Sequence, residues 1–149
     1  MRAERVRVER ISAEALDACL DLRRRVFVDE QGVDPALEFD GLDALSIHFA
    51  AHLDGRLVGT ARLRVLGEVA KAERVAVAPE ARRAGVGLAL MRALEQTARA
   101  LGLPTLTLNA QQVAIPFYSA LGYEELGEPF DEAGIPHVHM RKPLAPRPA

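Results

Sequence analysis

Residues 71–101 read KAERVAVAPEARRAGVGLALMRALEQTARAL, and two kinds of hydrophobic periodicity follow one another within them. Apolar residues alternate through Val75 and Val77 in the pattern of a strand, which ends at Pro79. A helical pattern then begins near Val86, after a short basic turn. We therefore expect a strand, a turn and a long helix to follow one another here.

The turn has the pattern Arg82-x-x-Gly85-x-Gly87 at the start of the predicted helix. Backbone N–H groups in the first turn of a helix have no intrahelical partner, and the helix dipole adds partial positive charge there. Glycines let the backbone approach a ligand closely, and Arg82 and Arg83 supply mobile positive charge. We expect this turn to bind a diphosphate. The Gly-x-Gly-x-x-Gly spacing of dinucleotide sites and the lysine of triphosphate P-loops are missing, which disfavours both of those sites.

The chain has 149 residues, of which 49% are hydrophobic and 27% charged. Length and composition predict one domain over residues 1–149 with a sizeable core, and a Pro-rich tail that frays from about residue 143. The formal charge of −2 disfavours nucleic acid or an acidic membrane surface as a partner. A monomer and a homodimer both remain open.

Cysteine content and the N-terminal sequence indicate the compartment. Cys19 is the single cysteine, which excludes an internal disulfide, and its apolar neighbours predict a buried packing role. The N-terminus lacks the apolar core of a signal peptide, and no apolar run approaches the length of a membrane span. We therefore expect a cytoplasmic protein.

The flanking sequence predicts the rest of the sheet. We expect strands over 6–11, 46–53, 56–66 and 105–110, helices over 13–28, 86–101 and 114–121, and two final antiparallel strands. Ser12 is the expected cap of the first helix. Asp54-Gly55 predicts a hairpin, and a right-handed crossover should lay 105–110 parallel to the central strand. The fold class is α/β (α+β): a mixed, mostly antiparallel sheet flanked by helices, with one parallel strand pair.

A second motif, Phe117-Tyr118-x-x-x-Gly122-Tyr123, begins in the short helix. Following the Arg82 motif in this order, it resembles the GNAT superfamily of N-acetyltransferases. Further patterns along nearly the whole chain are similar to the ElaA-like subgroup: Arg23-x-x-x-Phe27, Glu38-x-Asp40-x-x-Asp43, Gly59-x-x-Arg62, Ala110-Gln111 and Gly134-Ile135-Pro136-His137.

The resemblance implies acetyl-coenzyme A (acetyl-CoA) as co-substrate and a parallel strand pair that splays at the cofactor site. The splay would expose the central-strand backbone to the pantetheine arm and the thioester. Many members have an asparagine where this chain has Gln111, and Asn109 could substitute. The implied cofactor-binding residues are Val75, Ala76, Val77, Arg82, Arg83, Ala84, Gly85, Val86, Gly87, Leu88, Asn109, Gln111, Phe117 and Tyr118.

Two residues are predicted to be catalytic. In the resembling family the tyrosine at the Tyr118 position protonates the departing thiolate, a role that suits a phenol because it donates a hydrogen bond. A tyrosine packed on the sheet is the alternative. Amine attack also requires a base, and Glu73 lies near the position where some GNAT enzymes carry a catalytic glutamate. Water as the base, or Glu73 as a solvated carboxylate, remain open.

The predicted acceptor-binding residues are Glu38, Asp40, Asp43 and His137. The first three lie in the acidic connection 29–43, which borders the acceptor end of the site in the resembling families, and carboxylates favour a cationic amine. The alternative is a structural cluster in which Arg23 and Arg62 neutralise Asp40 and Asp43.

A metal site is disfavoured. His137 and His139 should share one face of a strand, and His48 or His52 could add a third ligand. The spacing matches no known metal motif, so we expect no metal.

The expected function is transfer of the acetyl group of acetyl-CoA to an amine, by direct attack in a ternary complex. The acceptor would be a small-molecule amine or a peptide amine. Two alternatives stay open: an acyltransferase similar to acyl-homoserine-lactone synthases, and a non-catalytic acyl-CoA sensor.

Overall fold

The structure, a computed structural model, describes residues 5–144. Its strands are β1 Val6–Ile11, β2 Ile47–Leu53, β3 Arg56–Leu66, β4 Val69–Val77, β5 Thr105–Gln111, β6 Glu124–Glu132 and β7 Ile135–Pro143. Its α-helices are α1 Leu16–Arg23, α2 Pro35–Glu38, α3 Val86–Ala100 and α4 Ile115–Ala120. A π-helical segment, Arg24–Glu30, continues directly from α1.

The strands form one seven-stranded sheet in the order β1-β2-β3-β4-β5-β7-β6. Every neighbouring pair is antiparallel except β4 and β5, which are parallel. The predicted fold class is therefore confirmed. So is the hairpin between β2 and β3, where Asp54 and Gly55 both have positive φ, 51° and 83°, as a tight two-residue turn requires.

The parallel pair is short. Its register runs from Val69 opposite Thr105 to Ala72 opposite Leu108. Beyond that point β4 continues to Val77 and β5 to Gln111 without pairing to one another. The β4 strand also carries a bulge against β3, where Arg74 has a φ of 55°. The two central strands thus separate, as the resemblance implied, at the end of β4 that leads into the basic turn.

The core lies between the sheet and α3, whose buried face includes Leu90, Met91 and Leu94. Gly59 on β3 allows this helix to approach, because a Cβ there would lie 2.7 Å from Cγ1 of Val86. Cys19 is 1% exposed, which confirms its packing role. No helix within residues 5–144 is long and apolar enough to cross a membrane.

Two predicted boundaries differ in the structure. The single helix predicted over residues 13–28 is wrong: a 3-10 turn at Ala13–Ala15 precedes α1, and π-helical turns follow it. Ser12 does not cap α1, whose N-cap residue is Ala15. Over so short a segment, hydrophobic periodicity does not distinguish α-helical from π-helical turns, whose backbone hydrogen bonds span four and five residues. At the other end β7 reaches Pro143, and residues 145–149 of the predicted tail lie outside the described range.

Candidate active site

The separation of β4 from β5 opens a cavity of about 940 Å³. Its walls come from the π-helical segment, the basic turn with the start of α3, α4, and the turn between β6 and β7. Among the sequence-predicted site residues, all but Ala84 and Asp43 line this cavity. One space therefore brings together residues predicted from motifs more than 90 positions apart in the chain, from Glu38 to His137.

The start of α3 faces the cavity with unpaired amides. The first intrahelical hydrogen bond runs from the Ala89 N–H to the Gly85 carbonyl, at 3.0 Å. The amides of Val86, Gly87 and Leu88 precede it and are available to an anion.

The two glycines of the motif serve different purposes. Gly85 has a φ of 84° and open space around its Cβ position, so this site requires glycine for its left-handed backbone. A Cβ at Gly87 would lie 3.2 Å from Cζ of Phe117, so this glycine lets the α4 ring pack over the first turn of α3. Close approach of a ligand was the predicted reason for both glycines. The geometry adds these two intramolecular reasons.

Arg82 is not the mobile charge that the sequence predicts. Its Nη1 and Nη2 donate to Glu30 at 2.6 and 2.7 Å, and its Nε donates to the Val77 carbonyl at 3.1 Å. The hydrogen bonds from Arg82 lower the pKa of Glu30, and those to Glu30 raise the pKa of Arg82. Arg83 lines the cavity and forms no ion pair with any residue in 5–144, so it is the free cation of the turn.

Tyr118 lies in the cavity wall on α4. Phe117 packs edge-on against it, with ring centroids 5.0 Å apart. Its hydroxyl forms no hydrogen bond with residues 5–144, and no fully buried side-chain polar atom in that range lacks a partner. The hydroxyl is therefore open to the cavity. Burial raises the pKa of Tyr118 to about 12, so the phenol stays protonated and can donate a proton.

The two side-chain amides on β5, those of Asn109 and Gln111, both have protein partners. Asn109 Nδ2 donates to Glu132 at 3.0 Å, and Gln111 Nε2 donates to Oε1 of Gln31 at 2.8 Å. These bonds join β5 to the β6–β7 turn and to the chain following the π-helical segment. Either amide would have to exchange a partner to contact a cofactor.

Glu73 is held by cations, which argues against its predicted role as base. Arg64 Nε and Arg62 Nη2 donate to it at 2.6 and 2.8 Å, and Lys71 Nζ lies 3.4 Å away. Burial alone would raise the pKa of Glu73, but the hydrogen bonds and charges of these neighbours outweigh it and lower the pKa to about 2. A carboxylate so stabilised in its charged form is a weak proton acceptor.

The other acidic residues are also paired with arginines. Glu38, 1% exposed, binds Arg23 and Arg74, both at 3.0 Å. Asp40 binds Arg62 at 2.8 Å and Arg74 at 3.2 Å.

Asp43 completes the network. It binds Arg23 at 2.7 Å and Arg62 at 3.1 Å. Its pKa is lowered, since the contacts with Arg23 and Arg62 outweigh the effect of burial. The geometry thus matches the structural cluster that the sequence left open as the alternative to an acceptor pocket.

His137 differs from these carboxylates. Its Nδ1 lies 2.7 Å from the Ile135 carbonyl, which only a protonated Nδ1 can satisfy, and Nε2 lies 3.6 Å from Oε2 of Glu132. Phe130 stacks on both His137 and His139, which confirms that the two histidines share a face. Within residues 5–144 no three His, Cys, Asp or Glu side chains cluster as a metal site.

A family model described as an acetyltransferase (GNAT) domain matches residues 12–144. The chain belongs to the GNAT family of acetyltransferases. The resemblance inferred from the Arg82 and Phe117 motifs is thereby confirmed.

Individual GNAT proteins are similar over almost the whole chain. YjcF of Bacillus subtilis, described as an uncharacterized N-acetyltransferase, is 41% identical over 130 residues, 87% of this chain and 93% of that one. An acyl-CoA N-acyltransferase from Pseudomonas aeruginosa is 32% identical with a TM-score of 0.79, covering 92% and 98% of the two chains. Escherichia coli ElaA is 28% identical with a TM-score of 0.80, covering 92% and 99%.

The GNAT cavity also contains residues that sequence reasoning missed. Glu30 and Gln31 belong to the segment predicted as an acidic loop, and nothing in their spacing distinguishes them. Glu132 could have been found, since it lies just before the pattern Gly134-Ile135-Pro136-His137. Arg62 and Arg64 lie two residues apart on β3, opposite Glu73 and Lys71 on β4. Side chains two apart on a strand share a face, so this pattern indicates one polar face of the GNAT sheet.

Proposed function

We propose that this protein transfers the acetyl group of acetyl-CoA to an amine, by direct attack in a ternary complex without a covalent enzyme intermediate. The observation that carries the proposal is the separation of β4 from β5 after Ala72 and Leu108. It leaves the backbone of Val75–Val77 facing a cavity with an anion-binding helix start near one end and a phenol in its wall. Similarity to the acyl-CoA N-acyltransferase of Pseudomonas aeruginosa supports the same conclusion.

The residues of the turn fit the diphosphate of coenzyme A. The amides of Val86, Gly87 and Leu88 supply donors, and Arg83 supplies a cation that has no protein partner within residues 5–144. Arg82 joins them when it exchanges Glu30 for the ligand. When bound, acetyl-CoA supplies the activated acyl group as a thioester.

Tyr118 is the proposed acid. Its open hydroxyl and raised pKa, about 12, keep a proton available in the cavity. That proton passes to the sulfur of the departing thiolate, and the amine nitrogen that forms the amide gives up a proton in turn. The exchange balances, because an ammonium acceptor loses two protons, the thiolate gains one, and one is released to solvent.

His137 is the proposed base, in place of Glu73. Every carboxylate that lines the cavity within residues 5–144 binds an arginine, except Glu132. With Nδ1 donating to the Ile135 carbonyl, the lone pair of the neutral ring is on Nε2, and His137 lines the cavity. Histidine is the usual general base near neutral pH, and the Glu132 carboxylate at 3.6 Å would stabilise the imidazolium that forms.

Steady-state kinetics test these assignments. Thiol release from acetyl-CoA is measured across a panel of amines, and kcat/KM for the best amine is then followed against pH in the parent, His137→Gln and Glu132→Gln. We expect kcat/KM to fall by about 10²- to 10⁴-fold across the profile in His137→Gln, the range of a general base, and by less in Glu132→Gln, which keeps the imidazole. An unchanged profile in both variants would return the role of base to water.

The acyl-CoA sensor makes a different prediction. Coenzyme A at about 100 times its dissociation constant should stabilise the fold by about 2.7 kcal/mol in either case. A sensor would give that stabilisation without thiol release for any amine. An unchanged melting temperature at saturating coenzyme A would contradict both functions.

A further inference from the structure

Two cations on the polar face of the sheet line the cavity, and neighbouring carboxylates do not fully balance their charge. Arg64 on β3 lies directly opposite Lys71 on β4. Both residues line the cavity, and their side chains are 19% and 23% exposed. They belong to neither motif of the coenzyme loop.

Charges in the neighbouring cluster do not balance. Five cations there face four carboxylates: Arg23, Arg62, Arg64, Lys71 and Arg74 against Glu38, Asp40, Asp43 and Glu73. Three of the carboxylates bind only arginines 23, 62 and 74, apart from a histidine contact of Asp43. Arg64 and Lys71 therefore share Glu73 alone, and Arg62 binds that carboxylate as well.

Hydrogen-bond donors remain free at this position. Arg64 uses Nε and Nη2 on Glu73, and its Nη1 has no acceptor among residues 5–144. Lys71 Nζ lies 3.4 Å from Glu73 Oε2 but forms no hydrogen bond within that range. Guanidinium and ammonium donors in a partly closed cavity favour a carboxylate or phosphate oxygen.

The opposite end of the same face carries the proposed base. Lys71 pairs with Thr107, and His137 pairs with Gln111, four residues further along β5. Lys71 and His137 are offset by roughly 13 Å along the strands, at ~3.3 Å per residue, and by roughly 10 Å across them, because β5 lies between β4 and β7. Their backbone positions are therefore roughly 16 Å apart. The Lys71 and His137 side chains cover part of this separation, and a molecule with an amine and an anion joined by a short chain would cover the rest.

We propose that the acceptor is an amine that also bears an anionic group, a carboxylate or a phosphate, bound by Arg64 and Lys71. This inference rests on the proposed acetyl transfer and names the class of its acceptor. It replaces the acidic pocket for a cationic amine that was predicted from the acidic connection, since those carboxylates are already neutralised by arginines. Lys71 and Arg64 bind the anion, and the amine reaches His137 and the thioester.

Matched pairs of acceptors test the proposal. The pairs are β-alanine with β-alaninamide, γ-aminobutyrate with γ-aminobutyramide, and phosphoethanolamine with ethanolamine; the first two report on a carboxylate and the third on a phosphate. We expect kcat/KM to be roughly 10- to 100-fold higher for the anionic member of at least one pair, the range of a charge-assisted hydrogen bond. Lys71→Gln should close that gap by about tenfold or more.

Arg92→Gln is the matched control, because Arg92 is an exposed cation on α3 that forms no ion pair within residues 5–144. It should keep the gap. A neutral amine used as well as its anionic partner in every pair would overturn the inference, and so would a gap that Lys71→Gln leaves intact.

A binding measurement separates this inference from the proposed function. Melting temperatures are recorded with coenzyme A and each amine, which requires no turnover. We expect the anionic member of the responsive pair to raise the melting temperature more than its neutral partner does, and Lys71→Gln to remove the difference. If no amine is acetylated, the proposed function is refuted. A difference in melting temperature between the anionic and the neutral member would still support the anion site in that case. Equal shifts for both members would refute the site.

Discussion

Arg82 and Glu30 form a two-point ion pair, with Nη1–Oε2 and Nη2–Oε1 distances of 2.6 and 2.7 Å, that joins the turn before α3 to the end of the π-helical segment. The guanidinium that should meet the diphosphate is thus already bound to a carboxylate. In the proposed complex the diphosphate therefore has to replace Glu30 as the partner of the Arg82 guanidinium.

Glu30→Gln should tighten coenzyme A binding. Both partners are more than a third exposed, at 40% and 37%, so the pair is worth only about 0.2–1 kcal/mol and the dissociation constant should fall by no more than about fivefold. Titration calorimetry measures this. Glu80→Gln is the control, because its ion pair with Arg25 involves no cavity residue. Weaker binding in Glu30→Gln would mean that Glu30 orients Arg82 for the ligand.

Gly85 and Gly87 should respond differently to alanine. Gly85→Ala places a side chain at a φ of 84° and should cost about 1–2 kcal/mol of stability, whereas Gly85→Asn should cost less because asparagine tolerates this conformation. Gly87→Ala meets the Phe117 ring at 3.2 Å, so it should weaken coenzyme A binding by displacing α4. Urea denaturation and calorimetry separate the two effects. Equal stability losses for Ala and Asn at position 85 would count against the backbone explanation.

Tyr118→Phe should lower kcat by about 10²- to 10⁴-fold with little change in coenzyme A affinity. Tyr123→Phe is its control. The Tyr123 hydroxyl donates to Glu95 at 2.8 Å, away from the cavity lining, so its loss should cost about 1–3 kcal/mol of stability and leave kcat intact. Parental turnover in Tyr118→Phe would reassign that tyrosine to packing.

Stability should fall in acid as Glu73 is protonated. Its pKa is lowered from the ordinary 4.5 to about 2 in the folded state, so the stabilisation is fully present above pH 4.5 and is lost as pH falls from 4.5 towards 2. Glu73→Gln should remove up to about 3 kcal/mol near neutral pH and flatten the dependence in that window. Glu125→Gln, at an exposed position of β6, should change neither. Denaturant unfolding at a series of pH values provides the measurement.

The sheet was predictable because its cues are local. Alternation through Val75 and Val77, the Asp54-Gly55 turn and the glycine-bounded helices each restrict the chain over a few residues, and the crossover rule then sets β5 parallel to β4. The π-helical turns after Arg23 left no such cue, because a segment of 7 residues holds too few turns for the spacing of its apolar residues to separate a π-helix from an α-helix.

The site was predictable only in part. The amides at the start of α3 and the position of Tyr118 follow from motifs, since each depends on one segment of chain. The states of Glu73 and Arg82 depend on partners that include Arg64, 9 residues from Glu73, and Glu30, 52 residues from Arg82. Sequence alone does not report which charges meet across a sheet, so a carboxylate that looked like a base is found among three cations.

The four-pair junction of β4 with β5 makes the sheet mechanically uneven. Strands β1 to β4 form one antiparallel group, and strands β5, β7 and β6 form another. Within the sheet the two groups are hydrogen-bonded to each other only between Val69–Ala72 and Thr105–Leu108. A ligand bound in the gap would contact both groups beyond these paired residues. Amide hydrogen exchange should therefore slow most, on binding, along the unpaired rims of residues 73–77 and 109–111, while the β2–β3 hairpin exchanges at its former rate.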